Sequence, residues 1–254
     1  MTFALPALAT VTLGCIIPLA SFVVLKHKLA VALAAAVAAF YGSVSAVTFT
    51  AAMTFMEEAD LPVEGFLPSL LALFEVPGIV LALVLAARFG QHLRLGPALR
   101  EVLTGRSIML LGGGLLIGAV SHPSSMERIS PLFVSLFGGV LVLFLLDLGA
   151  VAGEKFGELR QGGLLLPIFA IGPPLVFGPL GAAVATVAGL GTGGAAVFGV
   201  MAASASYIAA PAAIRVALPE VEVGIPLTAA LAITFPFNLV IGIPLITEIA
   251  IKLS

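Results

Sequence analysis

Apolar residues run along this chain in long blocks, without the two- or 3.6-residue alternation of a half-buried strand or helix. The blocks are Phe3–Leu25, Leu29–Phe55, Leu67–Ala87, Ile108–Val120, Leu132–Val151, Leu164–Leu190, Ala195–Leu218 and Ile225–Ile251. A hydrocarbon layer about 30 Å thick takes about 20 helical residues to cross. The pattern therefore predicts eight spans and an all-α polytopic membrane protein. The fourth block is short and is expected to extend back through Ala98–Ser107. Several blocks are rich in Gly, Pro and Ser, which predicts helices that break within the membrane. Gly162-Gly163 and Gly191–Gly194 read as hinges.

Composition agrees. Charged residues are 9% of the 254, hydrophobic residues 61%, and mean hydropathy is +1.24; a soluble surface cannot be covered from that supply. A net charge of -2 leaves no basic footprint for nucleic acid. The single cysteine, Cys15, excludes an intramolecular disulfide and a cysteine metal cluster. His27, His92 and His122 stand apart beside charged or turn residues and read as solvated, so no metal site or cofactor is expected. No basic stretch precedes the first block, which reads as a span rather than a signal peptide.

Charge also orients the chain. With a crossing at every block, Lys26, Lys28, Arg88, Arg94, Arg100, Arg106, Lys155, Arg160 and Arg215 fall on one side, and Arg128 and Lys252 on the other. By the positive-inside rule the first set is cytoplasmic. That places the protein in the cell inner (plasma) membrane with both termini extracytoplasmic. Glu57, Glu58, Asp60 and Glu64 cluster on the outer side. They read as a solvated turn closed by Pro62, or as a cation-attracting vestibule or regulatory surface.

The chain repeats itself. Ser43-Val44-Ser45-Ala46 aligns with Ser204-Ala205-Ser206-Tyr207 at an offset of 161. Each is followed by a Leu-Pro loop (Leu61-Pro62, Leu218-Pro219) and an apolar span with an internal proline, Pro77 or Pro236, at an offset of 159. The serine spans are the second and seventh, so they cross in opposite directions. Inverted repeats with interrupted helices characterise secondary transporters, whose site lies where the broken helices meet. Helix packing also selects Ser, Gly and Ala, which is the alternative source of the similarity.

Two broken helices crossing in opposite directions bring two half-helix N-termini together, and these attract an anion. Ser43, Ser45, Thr48, Ser204 and Ser206 add hydroxyls that can donate to carboxylate-like oxygens or accept from a cation's shell. Ala46, Ala205 and Tyr207 complete the candidate substrate site. The alternative is that the hydroxyls bond back to their own helices. Freed carbonyls, Thr234 and Asn238 could coordinate sodium. Glu75, two residues before Pro77, could carry a coupling ion or proton, or could accept bonds from backbone freed by the proline. Asp147 is read as interfacial. Tyr207 either donates its hydroxyl to substrate or fills volume between the helices.

The residues resemble the sodium-dependent bicarbonate transporter family. Phe40-Tyr41-Gly42-Ser43-Val44-Ser45 with Thr48 and Met56-Glu57-Glu58 is similar to one family segment. Met201-Ala202-Ala203-Ser204-Ala205-Ser206 with Pro211 and Arg215 is similar to another, and Ile241-Gly242-Ile243-Pro244-Leu245 also fits. The resemblance implies ten helices in two inverted halves of five. It also implies a core domain holding the broken helices, a surrounding gate domain, elevator-type alternating access and a homo-oligomeric trimer. Sodium moving inward would drive bicarbonate uptake.

The chain departs from the family at Tyr207, where members carry an aspartate, and at Ala46 and Val47, where they carry Gly-Ser. Loss of the only carboxylate of span seven predicts weakened sodium coupling or a shifted substrate. The short linker Arg88–Arg106 disfavours docking of the family's PII-like regulator. Spans divide three plus five: a first repeat over 1–90, a linker over 91–107, and a second repeat over 108–254, with gate spans in 108–160 and core spans in 161–254. Two N-terminal gate helices are expected to be missing, through truncation or natural shortening.

The expected function is secondary active import of a small inorganic anion, bicarbonate, coupled to sodium. The alternatives are an uncoupled anion channel or exchanger, or an inactive truncated membrane partner. No His-Glu-x-x-His or Gly-x-Ser-x-Gly motif supports an enzyme.

Overall fold

The computed structural model describes residues 3–90, 93–132, 136–159 and 165–254. Among these there are helices and no strand. In chain order they are α1 (Ala4–Leu25), α2 (Val31–Tyr41), α3 (Ala46–Glu58), α4 (Leu67–Arg88), α5 (Leu95–Thr104), α6 (Arg106–Val120), α7 (Pro123–Ser130), α8 (Phe137–Leu159), α9 (Leu165–Val187), α10 (Thr192–Ala203), α11 (Ala209–Ala217) and α12 (Gly224–Leu253). Six helical stretches are long and apolar enough to cross a membrane, counting α2 with α3 and α5 with α6 as one each. The apolar part of α8 and α10 supply shorter segments. Every predicted block thus contains an apolar helix, as befits an all-α polytopic membrane protein.

The centre of the bundle is built from small residues. Ala34–Tyr41 of α2 and Gly193–Ala203 of α10 are buried throughout, so these two helices have no solvent- or lipid-facing side. Helix α1 packs on α2 and α4, and α9 packs on α10 and the C-terminal part of α12. Absent side chains permit the contacts: a Cβ on Gly78 of α4 would run into the Gly42 carbonyl, and one on Gly199 would lie 2.7 Å from the Gly178 carbonyl. Pro18 lies against Gly42 and Pro77 against Gly14, so intramembrane prolines sit where glycine leaves room.

The two membrane faces are marked by contacts between chain ends. On one face the Phe3 and Phe66 rings meet at 5.6 Å, Glu64 accepts from the Gly191 amide at 2.7 Å, and Thr192 bonds to Ser254 at 2.7 Å. The acidic loop and both termini are therefore together. On the opposite face Lys26 lies over the Phe89 ring and the Arg94 amide points to the Ala217 carbonyl. The basic ends of α1, α4 and α11 share this second face.

The fourth span extends back through Ala98–Ser107, as expected, but with a break: Gly105 is extended, with ψ 155°, and separates α5 from α6 within the stretch Leu95–Val120. Helix α5 buries Ala98 and Val102, packs on α11, and leaves Leu95, Leu99 and Leu103 exposed. Helix α5 is thus an amphipathic element docked on the bundle. Gly191–Gly194 opens α10. Gly193 and Gly194 lie beneath the acidic loop, where a Cβ would strike the Pro62 carbonyl or the Glu64 carboxylate. Gly162, Gly163 and Arg160 lie outside the described residues.

Candidate functional site

Both serine segments interrupt their helices. Helix α2 stops at Gly42, and α3 restarts with Ser45 as its N-cap, whose hydroxyl accepts from the Thr48 amide at 3.1 Å and the Thr48 hydroxyl at 2.9 Å. Helix α10 ends at Ser204, which is extended (φ -88°, ψ 172°), and α11 begins after Ile208. The Ser206 hydroxyl accepts from the Ala210 amide at 3.2 Å, so a serine restarts this helix as well.

Unwound backbone at membrane depth must find partners other than water. The Ser45 amide donates to the Ser204 hydroxyl at 3.0 Å, and the Ser206 amide donates to the Phe40 carbonyl at 2.8 Å. The Ser204 hydroxyl in turn donates to the Met201 carbonyl at 2.8 Å. Asn238 of α12 donates to the Ala203 carbonyl at the end of α10, 2.9 Å away. Each interruption is therefore stitched to the other.

By helical rise, the 11 residues of α2 and 13 of α3 span about 16 Å and about 20 Å on either side of the break. The crossing sits near mid-depth. The N-terminal ends of α3 and α11 both begin there, which puts two partial positive charges beside the serines.

A small, partly open cavity of about 10 Å³ lies at this point, lined by Val44, Ser45, Ala46, Glu75, Ser206, Tyr207 and Ile208. It has room for about one water. Ser45, Ser206 and Glu75 are buried, at 4%, 2% and 5% exposure. The Tyr207 hydroxyl lies toward Ser45 but makes no hydrogen bond of good geometry, and its ring stands edge-on to Phe235 at 5.8 Å.

Of the eleven candidate residues, Ser45, Ala46, Ser206, Tyr207 and Glu75 line this cavity. Thr48 is bound to Ser45, and Ser204 and Ala205 form the crossing strand. Ser43 is fully buried, with a hydroxyl that has no hydrogen-bond partner. Thr234 sits elsewhere: its hydroxyl donates to the Ala170 carbonyl at 2.8 Å and accepts from Tyr41 at 2.7 Å. Asn238 keeps one buried oxygen, Oδ1, without a partner. Both residues belong to π-helical segments, Ala230–Thr234 and Asn238–Gly242, flanking Pro236.

Sequence reasoning missed the Tyr41–Thr234 bond, the lining residues Val44 and Ile208, and the role of Glu64 as a cap on α10. Among the described residues no three of His, Cys, Asp and Glu come together as a metal site.

Compared with known families, residues 1–251 match the Na+-dependent bicarbonate transporter superfamily. No curated protein matches the chain.

Proposed function

Because the chain belongs to the Na+-dependent bicarbonate transporter superfamily, we propose that it imports bicarbonate with sodium and binds both at the crossing of α2–α3 with α10–α11. Membership in that family implies a transport role rather than a catalytic one. The observation that carries the proposal is the meeting of two half-helix N-termini, serine hydroxyls and one carboxylate around a single buried cavity. The helix ends and the Ser45 and Ser206 hydroxyls favour an oxyanion. Glu75 supplies the negative charge that a coupled cation needs nearby.

The cavity is too small for bicarbonate, so binding requires the crossing to open. Local rearrangement at the crossing makes that room, and an elevator motion of the body that contains it carries the site between the two faces. Helices α1–α4 and α9–α12 pack as one body; α6 touches it sparsely, α8 packs on the first part of α12, and both expose most of their surface. In each of two triplets, α1 with α2 and α4, and α9 with α10 and α12, all three helices pack on one another, which supports an inverted repeat. The offset that pairs Pro77 with Pro236 also pairs Glu75 with Thr234. With the basic face inside, the acidic loop and both termini are outside.

Tyr207 on the cavity wall favours a second reading, an uncoupled anion pathway, because it stands where a carboxylate would hold the cation. Uptake of labelled bicarbonate into proteoliposomes, with and without a sodium gradient, separates the two. Coupled import predicts accumulation only with the gradient. Equal uptake in both conditions removes coupling, and no uptake in either removes bicarbonate.

A further inference from the structure

The side of α3 that faces α8 carries three cavities in series. The outermost is a groove of about 950 Å³ lined by Thr50, Thr54 and Glu57 of α3, by Asp60 and Pro62 of the following loop, and by Phe137 of α8. The next, about 200 Å³, shares Thr50 and Phe137 with the groove and is otherwise lined by the apolar residues Ala46, Val47, Val140, Leu141 and Phe144. The third is the cavity of about 10 Å³ at the crossing, which shares Ala46 with the second.

Helices α3 and α8 run antiparallel along this series, with Glu57 near Phe137 at the mouth and Ala46 near Phe144 at the bottom. The 11 residues from Ala46 to Glu57 rise about 16 Å, roughly half of a hydrocarbon layer about 30 Å thick. The series thus runs from the acidic face to the midplane.

Its chemistry is directional. Ala46, Thr50, Thr54 and Glu57 recur at helical spacing, forming a small and polar stripe on one face of α3. The Thr50 hydroxyl donates back to the Ala46 carbonyl at 2.7 Å, which leaves both of its oxygen lone pairs available as acceptors. The mouth holds two carboxylates, Glu57 and Asp60, and no Lys or Arg is among the residues lining it. Such a field concentrates cations and repels anions.

We propose that the groove between α3 and α8, with its polar stripe on α3, is the entrance through which a monovalent cation reaches the crossing from the acidic face. The identity of that cation as the coupling sodium rests on the function proposed above. The groove is the wide outer chamber, the Thr50 level is a polar step, and Ala46 marks the closed inner door. Small Ala46 and Val47 leave the passage narrow without filling it.

The test uses charged thiol reagents, so it does not depend on transport. In a full-length protein carrying Cys15→Ala, single substitutions Thr54→Cys, Thr50→Cys and, as a lipid-facing control, Leu143→Cys are reconstituted in proteoliposomes. They are then treated from the acidic face with cationic or anionic membrane-impermeant methanethiosulfonates. Expected are labelling of Thr54→Cys and Thr50→Cys well above Leu143→Cys, and at least a tenfold preference for the cationic reagent after correction for their rates with a free thiol. Glu57→Gln with Asp60→Asn should bring that preference close to one. Labelling of Thr50→Cys no faster than Leu143→Cys would overturn the proposal by showing the groove filled with lipid. An equal or anionic preference would overturn its cation selectivity. Bicarbonate uptake that ignores sodium would remove the coupling while leaving these labelling ratios intact, so the two readings fail separately.

Discussion

The Ser45 backbone amide donates to the Ser204 hydroxyl across 3.0 Å, so the break in one helix is closed by a side chain from the break in the other. Because Ser204 also donates to Met201, its one hydroxyl serves both segments. Ser204→Ala leaves the Ser45 amide unpaired at membrane depth and should destabilise the protein by about 1–3 kcal/mol. Ser206→Ala loses one accepting contact and should cost less. Thermal unfolding of the purified variants in detergent checks the order; equal stability of Ser204→Ala and the parent would contradict it.

Glycine positions divide sharply. At Gly78 a Cβ meets the Gly42 backbone, which cannot rotate away, whereas at Gly118 nothing lies within 4 Å. Gly78→Ala should cost about 3 kcal/mol or more, the upper range of overpacking. Gly118→Ala should be neutral or stabilise α6 by up to about 1 kcal/mol through helix propensity. The yield of folded protein on size-exclusion chromatography, followed by melting temperature, reads the contrast.

Tyr41 ties the end of α2 to Thr234 of α12 across 193 positions of sequence. Tyr41→Phe should cost about 0.5–1.5 kcal/mol. Its effect should vanish in a Thr234→Val background, because the acceptor is already gone. A double-mutant cycle on unfolding free energies measures that coupling, and strict additivity would mean the bond contributes nothing.

The Tyr207 hydroxyl borders the cavity without a well-formed bond, so removing it takes nothing from the fold. Tyr207→Phe should leave the melting temperature unchanged and raise the half-saturating bicarbonate concentration about tenfold, equivalent to about 1.4 kcal/mol of lost substrate contact. An unaltered concentration would assign the ring to packing against Phe235 alone.

Several features of this arrangement were legible beforehand. The breaks at Ser43–Ser45 and Ser204–Tyr207 were visible because a serine at an N-cap is a local signal. The placing of the acidic loop and termini on one face followed from charge and the parity of crossings. Other features were not. Thr234 and Asn238 look alike as polar residues in one span, yet Thr234 is held by Tyr41 and Ala170 while Asn238 reaches α10. The π-helical segments around Pro236 shift the register by which each side chain faces its neighbours, and periodicity cannot reveal such a shift. Glu64 looked like part of a solvated turn until the fold brought Gly191 to it.

The chain by itself determined the class of protein, the number of apolar helices and where two of them stop, because these depend on local composition measured against the thickness of a bilayer. Only the tertiary structure decided which hydroxyls line the cavity and which are consumed as backbone partners. An unwound segment has no period from which to read its facing, and its partner lies about 160 residues away on a helix running the other way.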